Sequence, residues 1–106
     1  MSRKLDAAIA EALGYKIEEV FGYEVIKRTG EQFDEYLPHY SADGNAMLEL
    51  DAEMQERGWW LEVRQRACVA VYTSYDGVVA RAVADTMPEA VALAAYKALT
   101  GDEWHG

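Results

Sequence analysis

The fold is decided by residues 41–101, which read SADGNAMLELDAEMQERGWWLEVRQRACVAVYTSYDGVVARAVADTMPEAVALAAYKALTG. A helix is predicted to begin after Ser41 or Asp43, because both are favoured N-cap residues and apolar residues follow at helical spacing. Another helix is predicted from Thr86, which opens a capping box with proline in the first turn, to Gly101. Three segments of strand length separate the two helices, so the stretch predicts helix, three strands and helix.

The three segments between these helices are predicted to form an antiparallel meander, because the connections are short and Asp76-Gly77 favours a tight hairpin turn. The predicted strands are Trp59–Arg66, Cys68–Ser74 and Val78–Ala84. Both faces of the last two strands are largely apolar. We therefore expect helices or a second subunit to cover the sheet on both sides.

The first part of the chain predicts a further helix and at least one further strand. Leu5 to Leu13 carries apolar residues at helical spacing, with Ser2 as a candidate N-cap and Gly14 as the end of the helix. Residues 15–28 are rich in β-branched and aromatic types. This segment predicts one clear strand at residues 23–27 and a weaker one before it.

The fold class predicted from these elements is α+β, in the order α-β(β)-α-β-β-β-α. It has an antiparallel sheet of four to five strands with helices packed on its faces, an αβα sandwich. Residues 1–106 are expected to form a single domain, because that length suits one hydrophobic core. The acidic stretch at residues 31–35 is predicted to be an exposed connection, and Glu49, Glu53 and Glu56 a solvated helix face.

The charge and hydropathy of the chain argue against nucleic acid and membranes as partners and against secretion. It has 19 acidic and 10 basic residues, which gives a formal net charge of -9. A long-range negative field repels nucleic acid and anionic lipid. No apolar run approaches the roughly 20 residues that span a bilayer, and residues 1–13 are unlike a signal peptide. We therefore expect a cytoplasmic protein that binds neither membrane nor nucleic acid directly.

The order of helices and strands in residues 41–101 is also that of a double-stranded-RNA-binding domain. Such a domain needs clustered basic residues at the start of its last helix to contact phosphates. This chain has Asp85 and Glu89 there. The RNA-binding interpretation is therefore rejected, while the same acidity suits a protein that competes with DNA or RNA for a basic groove on another protein.

The sequence indicates no catalytic residue, metal site or cofactor. His39 lies in a loop and His105 near the C-terminus, and spacing places neither beside Ser41 or Cys68. The single cysteine, Cys68, lies in a predicted apolar strand, which indicates a buried, inert thiol. Metal ligands at recognisable spacing, glycine-rich phosphate loops and dinucleotide motifs are lacking. The chain is therefore predicted not to be an enzyme.

Two groups of residues are candidates for binding. The first lies where a loop enters the helix after residue 43, whose free N–H groups can hold an anion. Alternatively, its serine and aspartate only cap the helix while Tyr40 packs against it. The second group is a pair of adjacent tryptophans, which alternation along a strand sends to opposite faces. At least one of the two indoles is expected at a subunit contact or ligand surface, and the alternative is that both pack in the core. The two groups are Tyr36, His39, Tyr40, Ser41, Asp43 and Asn45, and Trp59 and Trp60.

Three stretches of the sequence resemble a group of small proteins, the phage αβα-sandwich domain family. They are residues 37–43 leading into a helix that ends at residues 56–59, residues 84–90 running into residues 94–99, and the opening helix of residues 7–14. The resemblance implies a gene of phage or prophage origin, a sheet with helices on both faces, and no established activity. It assigns a role to no individual residue.

Charge, missing catalytic groups and this resemblance together predict a non-enzymatic phage or prophage accessory protein. We expect an acidic binding or inhibitor protein that acts in the bacterial host cell on a host component, either a defence system or a nucleic-acid-handling complex. One alternative is a protein that binds or sequesters a small nucleotide signal, and another is a structural phage protein. A homo-oligomer is also expected, from the two-sided apolar sheet and the indole pair.

Overall fold

The computed structural model describes residues 3–27 and 35–105, which form three helices and six strands. The elements in chain order are α1 (Arg3–Ala12), β1 (Lys16–Val20), β2 (Tyr23–Lys27), β3 (Glu35–Tyr36), α2 (Gly44–Glu56), β4 (Trp60–Arg64), β5 (Val69–Ser74), β6 (Gly77–Val83) and α3 (Met87–Thr100). A 3-10 turn at Gln65–Ala67 joins β4 to β5. The predicted cap at Ser2 and the predicted connection at residues 31–34 lie outside the described residues.

The strands form two separate sheets, and this is the main difference from the predicted architecture. The first sheet has the order β1-β2-β3 and the second the order β4-β5-β6, and every pair is antiparallel. The α+β class is confirmed, whereas the single sheet of four to five strands is not. Residues 15–28 contain two strands, and the short β3 lies where the sequence predicts part of a connection.

Helix α3 is the centre of the core. It packs against β5 and β6 of the second sheet and also against α1 and α2. Its fully buried residues cover more than half of the helix circumference, because it has neighbours on several sides. These residues are Ala90, Val91, Ala92, Ala94 and Ala95. The small alanine side chains let the surrounding elements approach the helix closely.

The ends of α2 and α3 follow from local sequence. Thr86 caps α3, where its hydroxyl accepts a hydrogen bond from the Glu89 N–H at 3.4 Å, and Gly101 ends it in the left-handed conformation at φ 78°. Asp43 caps α2 by accepting from the Ala46 N–H at 3.3 Å. Of the two N-cap candidates for α2, Asp43 is therefore correct and Ser41 is not.

The second sheet is covered on one face only within the described part of the chain. Its inner face carries Ala70, Tyr72 and Ala80 and packs on α3. Its other face, here called the outer face, carries Trp60, Glu62 and Arg64 on β4, as alternation predicts, and lies open. The expectation of helices on both faces is therefore wrong for this sheet.

Two further predictions about single residues are wrong. Cys68 does not lie in a strand: it precedes β5 in the left-handed conformation at φ 46°, half-buried, and its thiol donates to the Asp85 carbonyl at 3.6 Å. Glu53 is half-buried, unlike the exposed Glu49 and Glu56 on the same helix.

Glu53 is half-buried because it joins α2 to the start of β1. Its carboxylate accepts a hydrogen bond from the Tyr15 hydroxyl. Desolvation raises the pKa of the Glu53 carboxyl above its usual value, and the nearby Arg57 guanidinium opposes that shift.

No helix in the described residues is both long enough and apolar enough to cross a bilayer.

Candidate functional site

Four of the six loop residues predicted to bind lie around one shallow groove of ≈ 230 Å³ before α2. These are Tyr36, His39, Asp43 and Asn45. The other two, Tyr40 and Ser41, are fully buried and belong to the core. The structure thus brings most of the predicted loop group together at the surface but places two of its side chains where a partner does not reach them.

A buried carboxylate holds this loop in place. Asp6 on α1 is 1% exposed and accepts hydrogen bonds from the Ser41 N–H and from Nη1 of Arg3, each at 2.9 Å. The Arg3 guanidinium also donates to the carbonyls of Leu37 at 2.8 Å and Pro38 at 3.2 Å. Residues 37–41 are therefore fixed to α1 through one buried charge and its partner.

The electrostatics of the loop groove disfavour an anion. Three carboxylates line it, from Glu35, Asp43 and Glu49, and one of them already caps α2. A phosphate at this helix N-terminus would meet like charge on every side. The groove therefore suits an uncharged or cationic group better than a nucleotide.

The two adjacent tryptophans do not line the loop groove. Trp59 is half-buried and packs against the hydrophobic core. Trp60 is 54% exposed and lies on the outer face of the second sheet. The prediction that alternation sends the two indoles in opposite directions agrees with this arrangement.

An exposed aromatic group lies on the first sheet, and Tyr36 is its only member among the binding residues predicted from the sequence. We call it the hairpin patch and define it as Val20, Phe21, Tyr23, Val25 and Tyr36, which line a groove of ≈ 350 Å³. The side chains of Tyr23 and Tyr36 are 62% and 70% exposed and meet edge to face, with ring centroids 5.7 Å apart. Val25 lies on the same face of the sheet as both tyrosines and is nearly buried.

Phe21 at the tip of the hairpin has an unusual backbone for its type. Residues Phe21 and Gly22 join β1 to β2 with positive φ at both positions, 50° and 83°, which is the pattern of a type I′ turn. Asn or Gly normally occupies the first of these positions, because a Cβ is strained there. The Phe21 side chain is nevertheless 97% exposed, so it gains nothing from burial.

The charged residues of the first sheet lie on both of its faces. Glu19 and Glu24 are exposed and stand directly opposite each other across β1 and β2, on the face opposite to the tyrosines, and such a pairing of like charges destabilises a sheet. Glu18 forms an ion pair with Lys27 at 3.2 Å. The hairpin thus combines a strained exposed aromatic residue with an unfavourable acidic pair. Both features cost folding stability, which is typical of a surface kept for binding.

The histidine, cysteine and acidic side chains of the described part of the chain do not form a metal site. No group of three His, Cys, Asp or Glu side chains there could hold a metal ion. His39 and His105 are both exposed, and neither makes a hydrogen bond with the Cys68 thiol. Comparison with protein-family models, curated proteins and solved structures finds no match to this chain.

Proposed function

We propose that this chain is a non-enzymatic binding protein that docks its hairpin patch onto a basic surface of another protein. The observation that carries the proposal is Phe21, an exposed aromatic side chain held at a turn position that strains it. Residues in sparsely populated backbone regions cluster at functional sites, where the surrounding structure maintains the strain. Phe21 at this position disfavours folding, and contact between its ring and a partner accounts for the presence of phenylalanine there.

The hairpin patch has the composition of a contact surface. Aromatic residues are enriched at protein interfaces, where tyrosine and phenylalanine supply large contact area at small entropic cost. Phe21, Tyr23 and Tyr36 supply three such rings on one small sheet. The edge-to-face contact between the two tyrosines holds them in place before binding, which lowers the entropy lost on association.

The charge of the chain defines the partner by its chemistry. The whole chain has a formal net charge of -9, although Glu19 and Glu24 lie on the face of the first sheet opposite to the rings. A basic partner surface would be attracted at long range by that net charge. A nucleic-acid-handling protein of the host cell presents such a surface. We therefore infer a phage or prophage accessory protein that occupies a surface otherwise used by DNA or RNA.

The proposal is tested by capture from a bacterial lysate with matched hairpin variants. Phe21→Asn removes the ring and relieves the strained turn, so loss of binding cannot be attributed to misfolding. The matched control is Tyr75→Asn, because Tyr75 is 95% exposed at the tip of the β5–β6 hairpin. We expect the wild type and the Tyr75 variant to retain the same basic partner and the Phe21 variant to lose it.

A competition experiment tests the role of nucleic acid separately. Duplex DNA or RNA added to the captured complex should displace the chain if both occupy the same basic surface. Failure of nucleic acid to compete would rule out mimicry while leaving the docking function intact. Equal retention of partners by all three proteins would overturn the docking function itself.

A second candidate function is the binding of a small anionic ligand, supported by a different groove. This groove of ≈ 260 Å³ lies between β6 and the C-terminal end of the chain, where Arg81, Lys97 and Trp104 supply two cations and an indole. Lys97 already pairs with Glu103 at 3.1 Å, so an anion would have to displace that carboxylate. A panel of cyclic nucleotides should raise the melting temperature if this function is correct, and absence of any shift would exclude it.

A further inference from the structure

The outer face of the second sheet carries an ordered pattern of charge and apolar side chains in three rows. Strand pairing places three residues in each row, one from each of β4, β5 and β6. The rows are Trp60, Thr73 and Val78; Glu62, Val71 and Arg81; and Arg64, Val69 and Val83. The middle row thus has a negative charge on one edge strand, a valine at the centre and a positive charge on the other edge strand.

Much of this face is exposed and apolar. Trp60, Val78 and Val83 are 54%, 70% and 55% exposed, whereas Val69 in the third row is only 6% exposed. Arg81 and Val83 lie at the sheet edge, where they also line a groove beside Leu93 and Lys97 of α3. Within the described residues neither Glu62 nor Arg81 has an ion-pair partner, although each is exposed. Apolar rows with an unpaired charge row are typical of a surface that meets a partner.

We propose that the outer face binds a second copy of this chain, related by a two-fold axis that runs along β5. Rotation about that axis places β4 of the second copy over β6 of the first and β6 over β4. Glu62 then faces Arg81 of the second copy, and Arg81 faces Glu62, so both ion pairs form at once. Val71 meets its own equivalent at the centre, as a two-fold interface requires.

The apolar rows match under the same operation. Trp60 of one copy faces Val78 of the other, and the stem of Arg64 faces Val83. Aligned sheets cross at about 30°, and residues near the crossing point are displaced least by that rotation. The charged row is the middle row, so its pairing survives the crossing.

The charges select this axis over the alternative. A two-fold axis perpendicular to the strands would bring Glu62 against Glu62 and Arg81 against Arg81, and like charges that face each other oppose association. Only the axis along β5 places Glu62 of each copy opposite Arg81 of the other, so that the middle row attracts. The remainder of the acidic charge does not oppose this contact locally, because the face itself carries two arginines and one glutamate.

The size of the face predicts a weak dimer. Three strands span about 10 Å across and the three rows about 14 Å along the strands, which corresponds to the smaller class of interfaces, below about 1,200 Å² in total. We therefore expect dissociation in the micromolar range. The hairpin patch lies on the other sheet, so this inference does not depend on the proposed function.

Charge reversal tests the inference in three variants, measured by sedimentation velocity at about 100 µM protein. Arg81→Glu should raise the dissociation constant at least about tenfold, because it places two carboxylates opposite each other twice. Glu62→Arg should do the same. The double variant Glu62→Arg/Arg81→Glu should restore the dimer, because the charges are exchanged and still complementary. Glu11→Arg is the control for Glu62→Arg, since Glu11 is exposed on α1 and its substitution makes the same change in net charge. The double variant has the net charge of the wild type.

The restoration distinguishes a second copy from any other partner. A different partner would lose contact in all three variants, because its own charges would stay unchanged. A wild-type mass at the 11.9 kDa of one chain throughout the concentration series would overturn the inference. So would a folded double variant that stays dissociated while the wild type dimerises.

Discussion

Replacing Phe21 with asparagine should stabilise the protein, although most substitutions of aromatic residues do the opposite. The backbone at this position has φ 50°, and an ordinary side chain costs about 1–2 kcal/mol there. Asparagine tolerates the left-handed region better and is the preferred residue before glycine in a type I′ turn. The Phe21 ring is 97% exposed, so its removal sacrifices almost no burial.

The expected gain is about 0.5–1 kcal/mol in the free energy of unfolding. In a domain of this size that corresponds to an increase of about 2–6 °C in the melting temperature. Urea unfolding followed by circular dichroism measures the free energy, and a thermal scan measures the temperature. Both should be run beside Tyr75→Asn, which removes an equally exposed ring from a position without positive φ.

The result that refutes this reasoning is a Phe21→Asn variant no more stable than the wild type. It would mean that the ring makes a stabilising contact, so that its exposure is no sign of a binding role. An equal gain in the Tyr75 variant would also refute it, because loss of any exposed ring would then explain the effect.

Three further predictions concern the core and the titration of buried groups. Asp6→Ala should lower the free energy of unfolding by about 1–3 kcal/mol, because it removes the acceptor of the buried Ser41 N–H and the carboxylate that pairs with Arg3. A loss below about 1 kcal/mol in urea would contradict this. In the Glu53→Gln variant, the free energy of unfolding should depend on pH differently from that of the wild type. Burial raises the folded pKa of Glu53 above its ordinary 4.5, so ionisation of this carboxyl destabilises the wild type as the pH rises. The stability of the variant relative to the wild type should therefore increase between pH 4 and pH 7. A difference in the free energy of unfolding that stays constant over this range would contradict the raised pKa. Ala94→Leu should cost about 1–3 kcal/mol by overpacking a fully buried position, and an unchanged melting temperature would show that space exists there.

Local rules in the sequence predicted the helices well. Thr86 and Gly101 bound α3 because capping depends on neighbouring residues, and each cap forms as expected. The pairing of β4, β5 and β6 also follows from short connections and the Asp76-Gly77 turn. These features depend on interactions within a few residues, which a single sequence displays directly.

Features that depend on distant residues were not predicted. Separation of the strands into two sheets is decided by which faces α3 covers, and the spacing of apolar residues does not reveal that. The burial of Asp6 depends on the Ser41 N–H 35 residues later. Tyr40 was grouped with the candidate binding residues because it lies where a loop enters α2, and its full burial agrees with the alternative that it packs.

The hairpin patch combines one feature that the local sequence predicts with others that depend on distant residues. Residues 15–28 predict strands with a break at Gly22, and the observed turn is at that place. Nothing in the local sequence reveals that Phe21 is exposed or that Tyr36 joins it from β3, because that contact is formed across strands. The candidate site therefore emerged from strand pairing rather than from a motif.

The central claim is that Phe21 contacts a partner, and photo-crosslinking tests it most directly. A photoreactive phenylalanine analogue in place of Phe21 keeps the aromatic ring, and the same analogue in place of Tyr75 provides the control. Irradiation of bacterial host cells that contain each protein should give a discrete adduct with a basic protein from position 21 and none from position 75. No adduct from position 21, or the same adducts from both positions, would contradict the account.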